Sequence, residues 1–378
     1  MKLLHISDLH LGKKVNEMSM LADQMHILLE VLDIIKKNST ESVLISGDIY
    51  DKPVPSADAV TLFDTFLTCL SQINVKTFII AGNHDSPERL SFCSQIMSKE
   101  QIYIAPVFDG TMKKVELNDE FGLLNVYLLP FVKPATVKNF FPDSEILSTT
   151  DAIRTIINAA NVDYTKRNIL VAHQFVTGAI TCDSEDTNVG GANNVDATVF
   201  DGFDYVALGH LHNPQNVTNE KICYCGSPIK YSFSEAKYQK YVNIISLFEK
   251  NDVEIDKVKL VPLHEMREIK GSYNTLTLLD NYKNTVLDDY IHITLTDEED
   301  IIDAISKLRS IYPNVMKLDY DNTRTRKNNT IDNTNSPQNK TPFEMFSEFY
   351  FLQNNSEMSK EQKKYVKKTI DDIWSRDN

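Results

Sequence analysis

At 378 residues, 42% of them hydrophobic and 24% charged, the chain has the material for one large soluble domain with appendages, and its apolar runs are too short and too interrupted by charge to span a bilayer. A formal charge of −14 excludes a broadly basic nucleic-acid-binding face, although bound divalent ions would invert the sign locally where a phosphate has to sit. The charge is unevenly shared: residues 321–378 sum to +1, which leaves −15 on residues 1–320. Asp8 comes too early to leave room for the apolar region of an export signal. The five scattered cysteines, Cys69, Cys93, Cys182, Cys223 and Cys225, read as reduced thiols, so the expected compartment is the cytoplasm.

Taken in order, 2–7 is a strand pattern that runs into the loop Asp8-Leu9-His10-Leu11-Gly12. Leu21, Met25, Leu28, Leu29, Leu32 and Ile35 recur at helical spacing and predict an amphipathic helix over 16–37. A strand over 43–45 closes in Gly47-Asp48, a second helix follows Ser56, and a strand over 75–80 ends in Gly82-Asn83-His84-Asp85. Ser86-Pro87 then reads as an N-capped helix start. Short strands fill 102–130, a helix spans 151–160, and a strand over 168–172 delivers His173. A polar loop covers 177–194, a strand over 205–208 delivers Gly209-His210-Leu211-His212, and strands at 222–225, 241–248 and 253–260 complete the first domain. The alternation of strand and helix implies an α/β layered sheet with polar residues along its carboxyl edge.

A second unit begins near 263 and contains a β-α-β piece from Tyr290 to Leu318. Residues 321–341, rich in Asn, Thr, Lys and Pro, read as a flexible linker. Behind it, Phe343 to Leu352 is dense in Phe, Tyr, Met and Leu, and a helix from Ser359 places Val366, Ile370, Ile373 and Trp374 on one face. Such helices behind a linker are expected to dock in a partner's groove; the alternative is that they fold back on the chain itself.

Five of the nine histidines, His10, His84, His173, His210 and His212, fall in strand-end loops; His5, His26, His264 and His292 do not. Asp-x-His alone is usually a turn or cap, and His-x-His is often surface, but five such fragments, each after a strand, point to one site. Asp8, His10, Asp48, Asn83, His173, His210 and His212 form an oxygen and imidazole donor set without thiolate, suited to paired Mn²⁺, Fe²⁺ or Zn²⁺. Two ions roughly 4 Å apart need a bridging carboxylate, and Asp48 is the natural one. Asp8 and His10 with one of His210 and His212 complete one ion; Asn83 and His173 with the other complete the second. His84 is then the candidate general acid or phosphate-contacting group, with Asp85 as its orienting partner.

These motifs resemble those of the calcineurin-like metallophosphoesterases. More narrowly, together with Gly226 to Glu235 and the unit ending Tyr312-Pro313-Asn314-Val315, they resemble the SbcD-type nuclease subunits of bacterial DNA repair exonucleases. The resemblance runs from Met1 to about Trp374. It implies an α/β, four-layer αββα sandwich over 1–262, a small α/β capping domain over 263–320, a linker over 321–341 and a helical segment over 342–378 that binds an SbcC-type ATPase. It also implies a homodimer that uses two Mn²⁺ ions to cut DNA ends and hairpins, without membrane attachment. By the same resemblance Asp8, His10, Asp48 and His212 would hold one metal, Asp48, Asn83, His173 and His210 the other, with His84 catalytic. One departure is Asp51-Lys52, where archaeal and eukaryotic relatives place a histidine that helps engage DNA. Competing expectations are a small-molecule phosphodiesterase or phosphomonoesterase on the same site, and a non-catalytic binding scaffold. The acidic charge predicts weak DNA binding by the isolated chain. The helical stretches 62–70 and 86–97 are the candidate dimer surface.

Overall fold

Short β-branched runs and amphipathic stretches alternate through the first hundred residues, and the computed structural model, which describes residues 1–185, 194–323, 325–326, 341–354 and 357–374, builds them as a βαβ series. β1 (Lys2–Ile6) is followed by a hairpin, β2 and β3 (Lys14–Val15 and Met18–Ser19), then α1 (Leu21–Asn38), β4 (Ser42–Ile45), α2 (Ala57–Gln72) and β5 (Lys76–Ile80). Two short helices, α3 and α4 (Pro87–Ser91 and Ser94–Met97), lead into β6 (Ile102–Ala105). The helix expected over 16–37 therefore begins at Leu21. Asn16 and Glu17 take φ values of 45° and 68°, which turn a hairpin and cannot continue a right-handed helix. At α2 the Ser56 hydroxyl accepts from the Ala59 amide, as a cap should, whereas at α3 the Ser86 hydroxyl is given to Glu88 Oε2 and makes no cap bond.

The second half of the first unit contains β7 (Lys113–Asp119), β8 (Gly122–Leu129), α5 (Pro134–Phe140), α6 (Thr149–Ala159), β9 (Arg167–His173), β10 (Tyr205–Gly209), β11 (Gln215–Val217), β12 (Asn219–Tyr224), β13 (Tyr241–Leu247) and β14 (Val253–Lys259). α6 starts at Thr149, earlier than expected, because Ser148 and Asp151 close a capping box. Two six-stranded sheets result, ordered β14-β13-β1-β4-β5-β6 and β11-β12-β10-β9-β8-β7. In each, the strands that end at candidate donors run parallel, so their carboxyl ends share one edge. Alternate residues from both sheets, among them Leu3, Leu44, Phe78, Leu124, Val126 and Val171, interleave in one apolar layer. Ile153, Ile156 and Ile157 of α6 cover the far face of the second sheet against Leu170, Ala172 and Leu208. Each such side chain, taken wholly out of water, contributes about 1.5–3 kcal/mol.

His5 lies fully buried between the sheets, its Nδ1 2.9 Å from the Tyr205 hydroxyl. Burial drives its pKa down to about 3, so the folded chain keeps it neutral where the unfolded chain takes a proton. Stability from this group is complete above about pH 6.5 and is lost as the pH falls toward about 3, by about 5 kcal/mol over the window. We expect His5→Gln to lower stability at pH 8 yet to flatten that acid loss; urea unfolding from pH 8 to 4 checks it, and parallel pH curves for the two proteins would refute it.

The chain divides into two compact units at Arg267 and Glu268. β15 (Met266–Gly271) runs across this division, and the second unit continues with α7 (Tyr273–Thr277), α8 (Leu279–Tyr282), β16 (Tyr290–Leu295), α9 (Ala304–Arg309), β17 (Val315–Tyr320), α10 (Pro342–Asn354) and α11 (Lys360–Trp374). The expected β-α-β piece is present as β16-α9-β17, extended by β15 into a three-stranded sheet over Leu276, Ile291, Ile293, Leu308 and Val315. Most of the expected linker, 324 and 327–340, lies outside the described residues, as do 186–193 of the expected polar loop. α10 exposes Met345, Phe346, Phe349 and Phe351, and α11 exposes Tyr365. The side chains of Ile373 and Trp374 lie outside the described ones. Among the described residues no helix is long and apolar enough to cross a membrane, and all five cysteines are free.

Candidate metal centre

Five parallel strand ends deliver the donors: Asp8 and His10 after β1, Asp48 after β4, Asn83 after β5, His173 at the last residue of β9, and His210 and His212 after β10. Asp8, His10, Asp48 and His210 all hold positive φ, at 53°, 41°, 50° and 102°, although none is glycine. Left-handed backbone at such residues costs of order 1–3 kcal/mol each and persists where the surroundings impose it. Here it turns four side chains off the strand ends into one pocket. Ser46 joins the two sheets at this edge, its carbonyl 2.7 Å from His173 Nδ1 and its hydroxyl donating to the Ala207 carbonyl at 3.1 Å.

His10 Nε2 lies 3.0 Å from His212 Nε2 and 3.6 Å from Asp48 Oδ2, and that same oxygen lies 3.3 Å from His173 Nε2. Asn83 Oδ1 lies 3.1 Å from His173 Nε2 and 2.9 Å from His210 Nδ1. The Asp8 carboxylate accepts from the Ser7 hydroxyl at 2.6 Å and from the His210 amide at 3.0 Å. Asp8, His10 and His212 form one group whose ligand atoms all lie within 4.8 Å; Asp8, Asp48 and His173 form a second, and His10, Asp48 and His84 a third. Asp48 thus stands between the histidines of both sheets, where a bridging ligand belongs.

The charges fit a cation. Burial pushes Asp8 up to about 6 against the pull of His173 and His212, and it drives His10 well down and His210 down to about 3. Burial alone would raise Asp48, but His173, His10 and His84 outweigh it and hold Asp48 well below the usual carboxylate range. Burial likewise opposes the charge on His173, yet Asp48 and Asp8 hold it at about 9. A charge on His173 offsets buried carboxylate in the protein by itself, and a divalent ion held among these donors would supply that positive charge instead.

His84 is half-buried; its amide donates to Asp48 Oδ1 at 2.9 Å, its Nδ1 lies 3.1 Å from the Asp51 carbonyl, and its ring stands edge-on to His10 with centroids 4.8 Å apart. Asp85 takes a different form from the expected orienting partner. Its two carboxylate oxygens accept from the backbone amides of Ile49, Tyr50 and Gly82 at 2.9–3.1 Å, which fastens the loop after β4 to the loop after β5. Burial and the charge of Asp48 raise it to about 6. Asp51 pairs with Lys13 at 2.8 Å.

Several residues that support the donors come from far along the chain. Ser184 Oγ lies 2.7 Å from His212 Nδ1 and donates to Glu235 Oε1 at 2.6 Å; Glu185 accepts from the His212 amide; and Lys240 Nζ donates to Glu235 Oε2 and to the His212 carbonyl. Cys182, His212 and Glu235 also cluster within 4.8 Å, but Lys240 already meets that carboxylate with a cation. Phe131 stacks on His210. A groove of about 660 Å³ between α1 and α2, lined by Met25, Leu28, Leu29, Leu62 and Phe66, holds none of the donors.

Comparison with known proteins bears on most of the chain. Residues 1–214 match the family described as calcineurin-like phosphoesterase, and residues 262–354 match the Type 5 capsule protein repressor C-terminal domain. The SbcD component of the SbcCD nuclease of Staphylococcus epidermidis is 33% identical over 322 residues, which cover 84% of this chain and 85% of that protein. Among solved structures, TT1561 of Thermus thermophilus is 11% identical with a TM-score of 0.39, covering 68% of this chain and 98% of that one. A dimetal phosphatase from Danio rerio is 12% identical with a TM-score of 0.42, covering 70% and 98%.

Proposed function

As the chain belongs to the calcineurin-like phosphoesterase family of metal-dependent hydrolases, and within it to the SbcD family of nuclease subunits, we propose that it is the nuclease component of a DNA-processing complex in the cytoplasm. The observation that carries this reading is the meeting of seven oxygen and imidazole donors, from five strand ends, in one buried pocket. Asp8, His10, Asp48 and His212 hold one divalent ion and Asp48, Asn83, His173 and His210 the other, with Mn²⁺ as the metal. Such ions supply the Lewis acidity that makes water a nucleophile at neutral pH and offset the phosphate charge.

The chain's own groups do the rest. The Asp51 carbonyl can only accept, so His84 keeps a proton on Nδ1, and Nε2 is the atom that passes a proton to the leaving oxygen. Asp85 holds the loop that presents His84 by fixing the backbone on both sides of the pocket. The substrate is the DNA phosphodiester, cut from duplex ends as a 3'-5' exonuclease and at single strands and hairpins as an endonuclease. The exposed aromatic residues of α10 and α11 support docking of 342–378 on an SbcC-type ATPase, and exposed Phe92 and Ile96 support a homodimer surface that includes 62–70 and 86–97.

The test is Mn²⁺-dependent cleavage of labelled linear duplex and hairpin DNA, with and without an SbcC-type ATPase, beside a chromogenic phosphodiester. DNA cleavage that chelator abolishes is expected. Turnover of the small diester with DNA untouched, even with the ATPase present, would move the answer to a small-molecule phosphodiesterase. A chain ending before Asp321 should lose capture of the ATPase while it still binds metal.

A further inference from the structure

Glu235 has no exposed surface, and it lies well beyond the His212 it serves in the chain. Its Oε1 accepts from the Ser184 hydroxyl at 2.6 Å and the Tyr231 amide at 3.2 Å, and its Oε2 from Lys240 Nζ at 2.5 Å. A buried carboxylate and a buried ammonium, each dehydrated, are held here by hydrogen bonds on every side: Lys240 also donates to Ser227 Oγ at 2.9 Å and to the His212 carbonyl at 2.7 Å. A pair this costly to bury is weak evidence of a contribution to stability. Its geometry points elsewhere.

A serine hydroxyl has one proton to give. Ser184 gives it to Glu235, which can only accept, so toward its other neighbours, His212 Nδ1 at 2.7 Å and Cys182 Sγ at 3.1 Å, the Ser184 oxygen has only lone pairs to offer. His212 Nδ1 therefore carries the ring proton, and Nε2 turns a bare lone pair toward His10 Nε2, 3.0 Å away. The chain Glu235, Ser184, His212 sets one tautomer and one ring orientation at the end that faces the pocket. The His212 amide and carbonyl are also taken, by Glu185 and by Lys240, so the backbone of this residue cannot swing to compensate.

We propose that Glu235, acting through Ser184 and held by Lys240, is a positioning residue that fixes His212 with Nε2 presented to the metal centre and so sets the affinity of one of the two ion sites. The inference rests on the di-metal reading above. His173 and His210 are held by other groups, the Ser46 carbonyl and Asn83, so the effect is confined to the site that His212 serves.

Outer partners of ligand histidines typically cost 10–100-fold in metal affinity when removed. Mn²⁺ binding to the full chain, followed by electron paramagnetic resonance and calorimetry, reads this without any turnover. Wild type should bind two ions, and Glu235→Gln and Ser184→Ala should keep one at unchanged affinity while the other weakens about 10–100-fold. Ser184→Thr, which keeps the hydroxyl, should restore it. Glu235→Gln leaves Lys240 buried without its counter-charge, so Glu235→Gln with Lys240→Met removes both charges as a check on folding, and Ser184→Ala alone decides if neither folds. Two ions at wild-type affinity in folded Ser184→Ala would overturn the positioning role and leave the metal centre standing. A wild-type chain that binds no Mn²⁺ would overturn the metal centre itself and this role with it.

Discussion

Asp48→Ala is expected to abolish paired Mn²⁺ binding and to cut DNA cleavage by at least about 10⁴-fold, whereas His84→Ala keeps both ions and loses about 10²–10⁴-fold in kcat. The asymmetry follows from where the two side chains stand. Asp48 Oδ2 lies 3.6 Å from His10 Nε2 and 3.3 Å from His173 Nε2, one histidine from each sheet, so on the proposed assignment its removal would take a ligand from both ions at once. It also takes away the acceptor for the His84 amide and the first of the carboxylates whose charge raises His173 to about 9. His84 touches the same pocket from its rim, tied at Nδ1 to a carbonyl. On the proposed assignment its loss would remove a proton donor and leave the donor set whole. A Mn²⁺ titration of both variants beside a labelled duplex assay checks the pair. Loss of metal in His84→Ala, or two ions retained in Asp48→Ala, would contradict the assignment.

Gly209→Ala should be nearly as damaging, although it alters no donor. A Cβ at this residue would collide with the Ser46 carbonyl and come within 2.7 Å of His173 Nδ1, the two atoms that hydrogen-bond where the sheets meet. Neither is the free end of a flexible side chain, so β10 must move away from β4, and His210 and His212 move with it. Overpacking of this kind costs about 1–3 kcal/mol or more. At about 2–4 °C per kcal/mol the melting temperature falls by about 2–12 °C. Gly82→Ala, whose Cβ would meet the Asp48 side chain, should behave alike. Gly122→Ala is the control: its φ is +93°, but nothing lies within 4 Å of the added carbon, so only backbone strain remains. Thermal melts and Mn²⁺ stoichiometry of the three decide it, and Gly209→Ala with the control's small shift and full metal binding would refute the close-approach account.

The legible part of this molecule is what short sequence windows encode. A β-branched run that ends in Asp-x-His, Gly-Asp or Gly-Asn-His-Asp announces strand, turn and polar side chain within a few residues, and the parallel sheets bring those fragments to one edge. The hairpin at Lys14–Ser19 is hidden because its residues continue into the helical spacing of α1, and only the positive φ of Asn16 and Glu17 separates the two. The capping box at Ser148 and Asp151 is a local signal that moves the start of α6. β15 alternates polar and half-buried residues on a small sheet and carries little apolar signature. Ser184, Glu185 and Lys240 leave no trace in the sequence, since a side chain that bonds a distant histidine need obey no spacing rule. Asp85 is visible as a residue, but its carboxylate serves backbone amides, a partner that sequence does not display.

The donors that meet at the pocket are spread along the chain from Asp8 to His212, and the groups that hold the last of them extend to Lys240. During synthesis, a ribosome that has released only the helices and parallel strands of the first sheet has exposed Asp8, His10, Asp48 and Asn83 without any of the three histidines of the second sheet. On the proposed ligand assignment, neither ion site can be completed on the growing polypeptide until His210 and His212 have emerged, so a fragment that ends before them carries at most a partial donor set.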